Sequence, residues 1–289
     1  MAIHFKKYHG LGNDYLVIDP NVHDVEMTEA NIRLTCDRNV GIGSDGILYG
    51  PQFEGDTGSP VLRIFNPDGS EAEKSGNGLR IFAKYLFENQ YVRSKSFAIK
   101  TLGGVVDVRI QDETANLIQV NMGNATFISD EIPVAGPRRE VVNEPLDIDG
   151  AAYKITCLSI GNPHCVIPMR EVNEKTARAL GPFVENHKMF PHRINLQIVR
   201  VIDRANIEIR IWERGAGYTL ASGSSSCAVA AACHKLGFVD ADITVHMPGG
   251  SLKIEIGEDG RILMTGPVEG AFDGCFHQDL DKKIRAQSE

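Results

Sequence analysis

The feature that most restricts what this chain can fold into is that its second half repeats the landmarks of its first. Gly12-Asn13 returns as Gly161-Asn162, Ser75-Gly76 as Ser222-Gly223, and Gly103-Gly104 followed by VVDVRI as Gly249-Gly250 followed by SLKIEI, at offsets of 149, 147 and 146 residues. Three landmarks in one order at nearly one offset imply an internal duplication. The length agrees, because 289 residues exceed what one core usually serves and domains run at about 150 residues each. The 29 glycines, above the usual ~7% of a chain, cluster in both halves, as tight turns and close backbone approaches require.

Local patterning gives each half the same kind of unit. After Ser75, Leu79, Ile81, Phe82 and Leu86 recur at helical spacing, with Arg80 and Lys84 assigned to the polar side; after Ser222 comes the small apolar run CAVAAACHKLG. Both stretches predict helices with serine N-caps. Segments such as YLVID, VLRIF, CVIP, LQIVRV, IEIRIWE and LKIEI are short and β-rich, so strands outnumber helices. The expectation is an α+β fold of two pseudo-symmetric domains, each a β-sheet wrapped around a central helix, facing across a cleft. The expected domains are 1–122, completed by a strand from 266–277, and 123–265, with a charged tail over 278–289.

Thirty basic against 38 acidic side chains give a net charge of −8, which repels phosphate backbones and anionic lipid and argues against nucleic-acid or membrane partners. No apolar run reaches the ~20 residues that cross a bilayer, and MAIHFKKYHG lacks a signal-peptide core, so a cytoplasmic location is expected. The six cysteines form no CxxC pair and show no zinc-type spacing with histidine, which points away from a metal or a disulfide scaffold. GIGSDG at 41–46 fits GxGxxG by letter, but the helix-like ANIRLTCDRN precedes it where a dinucleotide fingerprint needs a strand. It reads as a turn.

The stronger constellation is the pair of helix starts. At each, backbone N–H groups ahead of the intrahelical ladder and the positive end of the dipole can receive a carboxylate, and glycines let it approach. Two unrelated N-caps would look the same in sequence. Asn13, Asn66, Asn77, Asn162 and Asn195 stand beside glycines or strand ends, each offering a donor and an acceptor, though any one alone reads equally as a turn residue. Glu213-Arg214 at a strand end can bind an ammonium and a carboxylate. His164 and Cys165 are neighbours on a strand, so their side chains point to opposite faces and cannot act on one atom. Cys227 reads as core.

At these residues the chain resembles the diaminopimelate epimerase family, through KYHGLGNDYLVID, RNVGIGSDG, RIFNPDGSEAEKSGNG, SIGNPHCV, HRIN, WERGAGYTLASG and MPGGSL, spread over most of the chain in family order. The resemblance implies a cofactor-independent, metal-free isomerase that inverts one α-carbon of a diamino dicarboxylic acid, taking LL- to meso-diaminopimelate in lysine and cell-wall biosynthesis. Two like domains are implied, and a homodimer, since the family is often dimeric. It implies that Asn13, Asn66, Asn162, Asn195, Glu213 and Arg214 hold the non-reacting end of the substrate, while Gly76, Asn77, Gly223 and Ser224 cradle the reacting carboxylate. In the family two cysteines, in motifs reading CGNG and ACG, transfer the protons; Ser75 and Ser222 occupy those places here. Three readings follow from that difference: an epimerase with little activity, a relative with other isomerase or lyase chemistry, or an amino-acid-binding module without catalysis.

Overall fold

In the computed structural model, which describes residues 3–23, 25–53 and 58–286, the chain divides into two compact units. One comprises Met1–Val120 with Gly266–Glu289 and the other Asn121–Thr265. In chain order the elements are β1 (His4–Gly10), β2 (Asn13–Ile18), α1 (Glu29–Cys36), β3 (Ile47–Phe53), β4 (Pro60–Phe65), β5 (Glu71–Ala72), α2 (Gly76–Glu88), β6 (Ser96–Thr101), β7 (Gly104–Ile110) and β8 (Leu117–Asn124). Then follow β9 (Glu144–Ile148), β10 (Ala151–Ser159), β11 (Pro163–Pro168), α3 (Glu174–Glu185), β12 (Asn195–Asp203), β13 (Asn206–Glu213), β14 (Gly217–Thr219), α4 (Gly223–Lys235), β15 (Asp242–Met247), β16 (Gly250–Ile256) and β17 (Arg261–Pro267). The chain closes with β18 (Glu269–Cys275) and α5 (Gln278–Ala286).

Pairing in the first unit runs β18, β1, β2, β3, β4, β6, β7, β8, with β2–β3 and β4–β6 parallel and every other neighbour antiparallel. The second unit runs β9, β10, β11, β12, β13, β15, β16, β17, parallel at β11–β12 and β13–β15 and antiparallel elsewhere. The two orders are the same, parallel steps included. A parallel step needs a crossover, and each has its helix: α1 and α2 in one unit, α3 and α4 in the other. β5 and β14 repeat each other as short antiparallel partners of the strand before the second helix.

Each unit buries its second helix almost completely. Every residue of α2 from Asn77 to Leu86 is buried, against β1, β2, β3 and β7; α4 is buried at Gly223 and from Ser225 to Cys233. Leu79, Ile81, Phe82 and Leu86 are fully enclosed, each contributing about 1.5–3 kcal/mol of burial. The expectation that Arg80 and Lys84 lie on a polar face is corrected here, because the helix is enclosed on every side from Asn77 to Leu86; Arg80 is 0% and Lys84 5% exposed. Lys84 is tolerated because Nζ pairs with Glu88 at 3.0 Å and donates to Asn116 Oδ1 and the Thr114 carbonyl, which offsets the desolvation of its charge.

The outer layer is α1 and α5 in the first unit and α3 in the second. Ile32, Cys36 and Ile284 pack with Phe5, Leu16, Ile18 and Ile47, and Ala177, Leu180 and Val184 pack with Ile155, Cys157, Cys165 and Leu196. The charged segment expected as a tail therefore carries a helix whose Ile284 enters a core, while 287–289 lie outside the described residues.

Candidate active site

The first unit builds its candidate group on a two-residue hairpin. β1 and β2 turn through Leu11 and Gly12, both at positive φ (56° and 87°), which suits the right-handed twist of a β-hairpin. The turn presents Asn13 opposite Gly10. Asn13 Nδ2 donates to Asp45 Oδ2 at 3.0 Å, and its Oδ1 accepts from Asn77 Nδ2 at 2.9 Å. Buried Arg80 donates in turn to Asn77 Oδ1. GIGSDG is thus a loop that anchors the hairpin through Asp45, consistent with its reading as a turn.

Behind the hairpin Asp14 pairs with Lys7 at 2.8 Å and with Arg38 at 2.6 Å, and Arg38 also holds Asp45 at 2.8 Å. Burial works to raise the Asp14 carboxyl, but hydrogen bonds from Arg38 and Lys7 outweigh it and hold the group at about 2.

Ser75 caps α2. Its Oγ accepts from the Gly78 N–H at 3.1 Å and its carbonyl takes the Leu79 N–H at 2.8 Å, so the N–H groups of Gly76 and Asn77 stand ahead of the ladder. Gly78 is fixed by packing, since a Cβ there would lie 2.9 Å from Leu48 Cδ2. The phenol of Tyr15, on β2, lies 3.2 Å from Ser75 Oγ. Asn66 follows the end of β4, its amide donating to Ser70 Oγ at 3.0 Å in the next turn.

In the second unit Ser222 caps α4, its Oγ accepting from the Ser225 N–H at 3.4 Å and meeting Ser224 Oγ at 3.4 Å. Asn162 Nδ2 donates to Ser224 Oγ at 3.4 Å, and Asn162 Oδ1 lies 2.9 Å from His164 Nε2. His164 Nδ1 meets Gln197 Oε1 at 3.3 Å, and Gln197 Nε2 donates to Ser225 Oγ at 2.9 Å. Contacts therefore run from Ser222 through Ser224, Asn162, His164, Gln197 and Ser225 back to the cap, and because both ring nitrogens face amide oxygens, a neutral His164 donates in only one of its two contacts. His164 is completely buried, and burial, assisted by the Arg214 charge and only partly opposed by Gln197, lowers it to about 3. The ring is neutral at ordinary pH and carries one proton. It orients Asn162, as a residue behind the site.

Asn195 organises the next strand end. Its Nδ2 donates to the Pro163 carbonyl at 2.7 Å and its Oδ1 accepts the Arg214 N–H at 2.9 Å. The Glu213-Arg214 turn is held from below by Glu185, which accepts from Trp212 Nε1 at 2.7 Å and the Gly215 N–H at 2.9 Å. Cys165 lies opposite Cys157 in the core, and Cys227 is fully buried in α4. Sequence reasoning had no signal for Tyr15, Gln197 or Glu185, whose partners lie tens of residues away. Its exclusion of His164 as a base left that residue's positioning role unseen.

Comparison with known proteins follows the same lines. The sequence model for diaminopimelate epimerase matches residues 5–128 and 156–270. A diaminopimelate epimerase 2 of Nostoc sp. is 52% identical over 96% of each chain, and a diaminopimelate epimerase of Pelotomaculum thermopropionicum is 39% identical over 95% of this chain and 99% of its own. Among solved structures, a hydroxyproline epimerase of Agrobacterium vitis with bound trans-4-hydroxy-L-proline superposes with a TM-score of 0.70 at 12% identity, covering 96% of this chain and 94% of that one. A Bacillus anthracis phenazine biosynthesis protein of the PhzF family gives 0.66 at 15% identity, covering 96% and 99%. These distant structures speak for the duplicated fold alone. With its own repeated sheets, its capped central helices and the sequence match, this chain belongs to the diaminopimelate epimerase family, a family of isomerases.

Proposed function

We propose that this chain binds a diamino dicarboxylic acid of the diaminopimelate type and inverts its α-carbon without a cofactor, with Ser75 and Ser222 in the acid/base positions. The observation that carries the reading is the pair of caps: each serine begins the buried central helix of its unit and is fixed by its own cap bond. In this reading Ser75 serves one face of the α-carbon and Ser222 the other. The N–H groups of Gly76, Asn77, Gly223 and Ser224 stabilise charge that develops on the reacting carboxylate. Asn13, Asn66, Asn162, Asn195, Glu213 and Arg214 hold the far end, where a second ammonium and carboxylate need partners of opposite sign.

The chemistry is slow by construction. A thiol at a helix N-terminus ionises at about 3.5–7.5, whereas a hydroxyl is a far weaker acid and requires a neighbouring base. Incubation with LL-diaminopimelate in D2O, with α-proton signals followed by NMR, is expected to show slow exchange together with ligand-induced thermal stabilisation. The double substitution Ser75→Cys, Ser222→Cys is expected to raise the rate by about two to four orders of magnitude, the range of general acid–base catalysis. Absence of both stabilisation and exchange would remove the proposal, while stabilisation without exchange in any variant would leave an amino-acid-binding protein.

A further inference from the structure

A serine hydroxyl has one proton and two lone pairs. At Ser75 one lone pair takes the Gly78 N–H at 3.1 Å, and Tyr15 Oη stands 3.2 Å away. That phenol is a built feature. Tyr15 is 7% exposed and sits two residues beyond Asn13, on the same face of its strand. Its ring is gripped by the backbone of Gly46, where a Cβ would fall 2.7 Å from Tyr15 Cε1 and 2.5 Å from the Phe65 carbonyl. The hydroxyl neighbour of Ser222 is Ser224, so the two caps are chemically unlike.

We propose that Tyr15 is a relay and positioning residue for Ser75, and that the proton-transfer group on this face is the Ser75–Tyr15 pair rather than the serine alone. The inference rests on the placing of Ser75 above. In the forward step Ser75 Oγ takes the α-proton while its own proton passes to the Tyr15 phenolate. The Cα–H bond breaks, its electron pair stays on the carbanion, and a Tyr15 O–H forms. In the reverse step the phenol returns a proton through Ser75. Charge and protons balance without a co-reactant. A phenol is a far stronger acid than an aliphatic alcohol, and the helix dipole at the cap favours negative charge.

The test compares the full chain, Tyr15→Phe, Ser75→Cys and their combination, measuring deuterium incorporation at the α-carbon during turnover of LL-diaminopimelate in D2O across about pH 7 to 10. Wild-type exchange is expected to climb with pH. Tyr15→Phe is expected to lower kcat by about tenfold or more and flatten that climb, with KM moving about twofold or less. In the cysteine background the same change is expected to cost at least about fivefold less, since a thiolate forms without the phenol. Equal losses in both backgrounds, or a pH-independent wild-type rate, would overturn the relay. Ligand-induced stabilisation without wild-type exchange would also overturn it while leaving substrate recognition standing, whereas loss of stabilisation as well would remove both.

Discussion

Asn13, Asn77, Asn162 and Asn195 each commit both ends of their amides to protein partners: Asp45, Arg80, His164 and the Arg214 backbone hold one end or the other. Asn13, Asn162 and Asn195 each keep a second N–H and a second lone pair, while Asn77, whose two N–H groups reach Gly10 and Asn13, keeps a lone pair, so each amide's orientation is settled before any ligand arrives and less entropy is lost on binding. Asp14 does the same for the hairpin. Because its carboxyl is held at about 2 against an ordinary value near 3.8, the stability it contributes is present above about pH 4 and is lost as pH falls toward 2. Wild type is therefore expected to lose more thermal stability than Asp14→Asn between pH 4 and 2, as followed by circular dichroism melts. Equal slopes would show that Asp14 is not a native-state anchor. The cap serines were legible from local chemistry alone. Tyr15 and Gln197 were not, because a residue's partner across a sheet is set by topology, which one sequence does not display.

At the scale of elements, α2 shows why amphipathic reading fails for an enclosed helix: Arg80 and Lys84 fall where a surface helix would be wet, yet both are buried. α3 has a different task. Gly181 lets the Trp212 ring lie on the helix, since a Cβ there would come within 2.2 Å of the ring, and Glu185 at the helix end fixes both Trp212 and the turn after Arg214. Gly181→Ala is expected to cost about 1–3 kcal/mol through overpacking and to weaken diaminopimelate binding by displacing Glu213-Arg214. Denaturant unfolding measures the first effect, and the fluorescence of the chain's one tryptophan reports the displaced ring. An unchanged spectrum with unchanged stability would show that the ring is not seated on α3.

At the scale of the whole molecule, duplication was legible because glycine-turn landmarks survive where the strands between them have diverged. The matching strand orders, with parallel steps at β2–β3, β4–β6, β11–β12 and β13–β15, were beyond sequence reading, since pairing partners lie far apart in the chain. Two like units offer two capped helices, and the proposed chemistry assigns one to each face of the substrate carbon. The most direct measurement of that assignment is the early isotopic distribution during turnover of LL-diaminopimelate in D2O, with the isomers separated and analysed by mass spectrometry. Deuterium appearing in the meso product while recovered LL substrate stays protiated is the predicted result, because different groups remove and deliver the proton. Equal early labelling of both isomers, or label in neither, would contradict it.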